Sequence, residues 1–143
     1  MFHYIFYLVI NFFFCFERNH LCIIFFLVFS EEPSPPSTPV VKETEATSIY
    51  LTWSPGFDGN APIIQYIVEF KLRTRGWDEG KRRVVRQSNG LQVDGLRPAS
   101  EYELRVYAVN KLGKSDASHY TTRKTLEAGK SYFVHFNFFS SAM

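Results

Sequence analysis

Four histidines (His3, His20, His119 and His135) and two cysteines (Cys15 and Cys22) are the residues through which this 143-residue chain could do nucleophilic or metal chemistry. Their spacing supports neither. His119 has no Cys or Ser nucleophile beside it, and Cys15, Cys22 and His20 do not reproduce a zinc-ligand spacing. Gly56-x-x-Gly59 lacks the helix start and the lysine of a phosphate loop. The chain therefore reads as non-catalytic, with no cofactor and no metal.

What remains is charge and aromaticity. Between Lys71 and Arg86, seven cations (Lys71, Arg73, Arg75, Lys81, Arg82, Arg83 and Arg86) face two acids, Asp78 and Glu79, a local charge of +5 with Trp77 at the tip of the hairpin. Lys81, Arg82, Arg83 and Arg86 form a candidate patch for a sulfated glycan, an acidic partner loop or anionic lipid headgroups. Alternation puts Arg82 and Arg86 on one face of a strand and Lys81 and Arg83 on the other, so the four need not act together. The competing reading is that edge strands carry Lys and Arg to prevent edge-to-edge pairing. Trp77 reads as packed over a strand edge. Phe57, between Gly56 and Asp58-Gly59, is a candidate contact for a protein partner or a neighbouring domain, or else a cap on the end of the fold.

These residues sit in a composite chain. Of fifteen Phe, nine lie in residues 1–30 and four in 131–143. Residues 33–127 carry fourteen basic and eleven acidic residues, and both cysteines lie outside them, so that middle part must be stable through burial alone. The net charge of +2 is too small for a nucleic-acid-binding identity. Domain boundaries are expected at 1–32 (flank and start of a Pro-rich linker), 33–127 (one domain) and 128–143 (tail).

Glu17, Arg18, Asn19 and His20 divide the first flank into apolar runs of sixteen and ten residues, each short of the roughly 18–20 needed for a membrane helix. A signal peptide or anchor is one reading of this flank; translated intron is the other, and it also accounts for the tail. Phe29-Ser30-Glu31 is what a pyrimidine tract ending in an acceptor site spells in frame. Ala128-Gly129-Lys130-Ser131 can encode a donor sequence.

The middle begins with four prolines in the seven residues Pro33–Pro39, a linker or an extended first segment. Short alternating segments with turn signals follow, which argues for an all-β sandwich. Ile49, Leu51 and Trp53 share one face of their strand; Ile64, Tyr66, Val68 and Phe70 share a face of the next. Ser54–Pro62 is a Gly/Pro-rich loop with places for positive φ. Lys81–Gln87 is a basic strand, and Asn89-Gly90 is expected to turn it back into Leu91-Gln92-Val93. In Tyr102–Ala108, the core face carries Tyr102, Leu104, Val106 and Ala108, and the other carries Glu103, Arg105 and Tyr107. Lys111–Ser115 is a turn before a polar last strand, His119–Thr125.

The spacing Leu96-x-Pro98-x-x-x-Tyr102 resembles a tyrosine corner, in which a phenol bonds back to the backbone just upstream. Together with Trp53, Tyr66 and Ala108-x-Asn110-x-x-Gly113-x-Ser115, it resembles a fibronectin type III domain over about residues 33–127. Pro55–Ile63 is further similar to the repeats of neural immunoglobulin-superfamily adhesion proteins of the sidekick and Down syndrome cell adhesion molecule type. The resemblance implies an immunoglobulin-like, seven-stranded antiparallel β-sandwich with a structural core at Trp53, Tyr66, Leu96, Tyr102 and Val106. It also implies a protein-binding or spacer module of a larger adhesion protein on the cell surface. The alternative is a module of an intracellular muscle-type protein, since a domain without cysteines survives in either compartment. Protein partners or neighbouring domains are expected, and a sulfated glycan is a candidate ligand. A membrane enters only through the parent protein or the N-terminal flank.

Overall fold

The computed structural model describes residues 29–129; the expectations for the Phe-rich stretches before and after lie outside the described residues. Seven antiparallel strands form two sheets. One holds β1 (Val40–Thr44), β2 (Ser48–Thr52) and β5 (Gly90–Asp94) in the order β1-β2-β5. The other holds β3 (Gln65–Leu72), β4 (Lys81–Val85), β6 (Glu101–Val109) and β7 (Thr121–Lys124) in the order β4-β3-β6-β7. A 3-10 turn, Trp77–Glu79, lies between β3 and β4.

The sheets meet through the residues that alternation assigns to the inside. Ile49, Leu51, Val93, Val68, Leu104 and Val106 are fully buried, and Trp53 meets Tyr66 edge to face with ring centroids 5.4 Å apart. Among the described residues the buried Trp53 indole N–H has no hydrogen-bond partner, which is unusual for a buried polar group. Among the described residues no helix is long and apolar enough to cross a membrane.

Two expectations are corrected. Asn89-Gly90 does not close a hairpin: β4 pairs with β3, whereas β5 pairs with β2 in the opposite sheet. The chain crosses between sheets here. A tight primed turn requires both flanking strands in one sheet; instead positive φ falls at Gln87, and the Asn89 carbonyl accepts from the Trp53 backbone N–H at 2.9 Å. Ile64 does not join the core face either, being 52% exposed. The strand begins only at Gln65, so its alternation does not extend to Ile64, and Ile63 packs on the core instead.

Candidate functional site

Three regions hold the residues singled out in the sequence. The first is the pole where the chain enters. The Pro-rich arm runs antiparallel to the loop before β3, with Glu31 N–H donating to the Gly59 carbonyl, Ser34 to Phe57 and Ser37 to Ser54. Glu31, just before the expected boundary at Pro33, thus takes part in a hydrogen-bonded seam with the loop before β3. Gly59, at φ +72°, sits where a Cβ would strike the Glu31 backbone, and a Cβ on Gly113 would strike the Glu32 side chain.

Asn110 joins the arm to both neighbouring loops. Its amide donates to the carbonyls of Glu31 (2.6 Å) and Asp58 (3.0 Å), while its oxygen accepts from the N–H groups of Leu112 and Gly113. All four hydrogen-bonding sites of the side chain are filled. Phe57 is 50% exposed on the same pole.

The second region is the corner. Tyr102 is buried at the start of β6, and its hydroxyl accepts from the Arg97 N–H at 2.9 Å. Ala99, between them, takes a left-handed φ of 49°. Farther along β6, the hydroxyls of Ser115 and Ser118 accept from the N–H groups of Ala108 and Val106, each at 3.0 Å. They complete the ladder where the chain before β7 is not a strand. Ser115 ends the spacing Ala108-x-Asn110-x-x-Gly113-x-Ser115, whereas nothing local in the sequence marks Ser118.

The third region is the outer face of the four-stranded sheet. Register places Glu69 of β3 between Arg82 of β4 and Arg105 of β6. Its carboxylate, 1% exposed, accepts from Arg82 Nε (2.9 Å), Arg105 Nε (2.8 Å) and the Tyr107 hydroxyl (2.9 Å). Burial pushes the Glu69 pKa up, but the hydrogen bonds from Arg105, Tyr107 and Arg82 outweigh it and hold the group below its ordinary value. Burial first, and then the bond to Glu69, raises the pKa of Tyr107.

Trp77 covers this cluster instead of a strand edge. The Arg105 guanidinium lies 3.8 Å and the Lys71 ammonium 4.9 Å from its ring centre, while Lys114 stacks on Tyr107 at 4.3 Å. The local +5 is accordingly divided. Lys71 pairs with Glu103, Arg73 with Glu101, Arg75 with Glu79 and Arg82 with Glu69, whereas Lys81, Arg83 and Arg86 are exposed and make no ion pair among the described residues. The candidate patch is therefore split, with Arg82 tied to the outer face and Lys81 and Arg83 opposite the inward residues Phe70 and Val68.

Comparison with known proteins agrees with this geometry. Cell adhesion molecule DSCAM of Gallus gallus is 42% identical over 104 residues, 71% of this chain and 5% of the relative's length. Cell adhesion molecule Dscam1 of Drosophila melanogaster is 34% identical over 106 residues, 73% of this chain and again 5% of the relative. The chain thus spans a small part of the curated relatives it matches. Among solved structures, titin domains superpose with a TM-score of 0.63 at 32% identity, covering 68% of this chain and 34% of theirs. The fibronectin type III domain matches residues 34–124, almost the whole sandwich, and the chain belongs to that family.

Proposed function

We propose that the sandwich is a non-catalytic protein-binding and spacing module of a cell-surface adhesion protein, presented on the extracellular side of the plasma membrane. The observation that carries this reading is the 42% identity to cell adhesion molecule DSCAM over 71% of the chain, against 32% to the titin domains. Geometry supports the spacing role. The chain enters at the pole of Phe57 and Asn110, and Leu126 leaves at the other, bonded to Glu45 and Ala99. The nine residues of β6 separate the poles by about 26 Å at roughly 3.3 Å per step. Neighbouring domains attached at either end would be held apart in series, with Phe57 placed to touch the one before.

Antibodies against this sandwich should stain intact, unpermeabilised cells that express the gene. Staining only after permeabilisation would overturn the surface reading in favour of an intracellular structural role.

A further inference from the structure

The basic hairpin is sorted by its position in the sheet. Cations that face acids on β3, on β6 or within the connecting turn are paired, and those on the open side are not. Lys81 and Arg83 lie on β4, an edge strand of its sheet, and Arg86 follows its last residue, beyond the last β3–β4 pair at Val85, so the alternation that would put Arg86 on Arg82's face does not extend to it. Nothing in the described chain supplies them with a carboxylate. From residue 81 to residue 86 an extended backbone covers about 16 Å.

Their direction narrows what could bind. Lys81 and Arg83 stand opposite Phe70 and Val68, so they point toward the side of the sheet that packs the core, and the Arg83 guanidinium lies 5.7 Å from the Phe70 ring centre. Inward-pointing charges on an edge strand oppose the addition of another strand, because a docking peptide backbone would bury them. An anion must instead meet the side chains themselves. A linear sulfated glycan does so, with repeated anionic groups along a chain that needs no backbone pairing.

We propose that the open edge of β4 binds a linear sulfated glycan through Lys81, Arg83 and Arg86. Arg82 stays outside the site, its Nε held by Glu69 on the opposite face. The proposal depends on the cell-surface reading only for access to such a glycan. Binding to heparin in solution is independent of location, so a failed surface stain and a failed binding experiment overturn different statements.

The test is retention of the full chain on immobilised heparin, with circular dichroism to check folding. Replacing Lys81, Arg83 and Arg86 by Ala should lower the eluting salt concentration and reduce the slope of log affinity against log salt by up to about three, one counterion per lost cation. Arg82→Ala, and a control with Lys42, Lys111 and Lys124 replaced by Ala, should each have a much smaller effect. Unchanged retention in the first triple variant would overturn the proposal. So would an equal loss in the control, which would leave net charge alone, or in Arg82→Ala, which would move the site to the outer face. Desulfated heparin or a Glu-rich peptide eluting the chain as well as heparin would exclude a sulfate-reading site.

Discussion

The two faces of the four-stranded sheet are built from the same strands and hold together differently. On the inner face, Tyr66, Val68, Phe70, Leu104 and Val106 meet the other sheet and exclude water by apolar contact. On the outer face, Glu69, Lys71 and Tyr107 are also buried, yet every polar atom there meets an opposite charge, a hydroxyl or a ring. Each face carries one tryptophan. Trp53 lies in the core against Tyr66, and Trp77 lies across the outer face with Arg105 and Lys71 upon it. Burial in a β-sandwich is therefore not confined to the space between the sheets: a short turn folded over the solvent side can desolvate a row of charges, provided each is paired.

The largest loss is expected at the inner tryptophan. Trp53→Ala should cost about 3–5 kcal/mol, because two sheets tied at both ends cannot collapse into the cavity. Chemical denaturation of the variant checks this. A cost near that of a surface substitution would mean that the inner face tolerates holes and the contrast with the outer face is false.

The outer face should fail next, and with a pH signature that the inner face lacks. Glu69→Gln keeps the shape but leaves Arg82 and Arg105 without their shared negative charge. The expected loss is about 2–3 kcal/mol, within the range for hydrogen bonds to charged groups and below that for fully buried pairs, since Arg82 remains 65% exposed. Because the folded-state pKa of Glu69 is depressed, the unfolded chain takes up the proton first as pH falls. Its stabilisation is therefore complete above the ordinary carboxylate pKa and is lost as pH drops through the folded value. Melts from about pH 7 to about pH 2 should lose this part of the wild-type stability, and the profile of Glu69→Gln should be flatter. Parallel profiles would assign the acid sensitivity to other carboxylates.

The same contrast explains what the sequence could reveal. The inner face was legible because a period of two in apolar residues is a local pattern, as in Ile49-Leu51-Trp53 and Tyr102-Leu104-Val106. Leu96, Pro98 and Tyr102 were legible because the corner closes over five residues, from Arg97 to Tyr102. Glu69 reads as an ordinary solvent-facing residue between Val68 and Phe70. Its partners lie thirteen, thirty-six and thirty-eight residues away, and only cross-strand register brings them to it. Asn89-Gly90 misleads for the same reason, since turn chemistry says nothing about which sheet receives the next strand. The split of Lys81 and Arg83 from Arg82 follows from alternation, but the carboxylate that captures Arg82 does not.

Trp77→Ala sharpens the outer face further. The ring contributes through cations stacked on a half-buried surface, so the expected cost is about 1–2 kcal/mol, less than at Trp53. Hydrogen exchange should quicken at the amides of residues 73–80, while the core strands stay protected. Quicker exchange throughout β6 would show that Trp77 supports the whole sheet instead of the turn alone.

The smallest effect is expected where pairing occurs without burial. Arg73 Nη1 lies 3.1 and 3.0 Å from the two Glu101 oxygens, within hydrogen-bond distance of both, but the two side chains are 59% and 41% exposed. Water already solvates both charges, and fixing two long side chains costs conformational freedom. Arg73→Ala should leave Tm within experimental error, and added salt should remove whatever difference exists, since exposed charges are screened. A double-mutant cycle with Glu101→Ala isolates the pair from other losses at either residue. If the cycle gives a coupling as large as that between Arg105 and Glu69, then pairing geometry, and not the cover provided by Trp77, is what holds the outer face together.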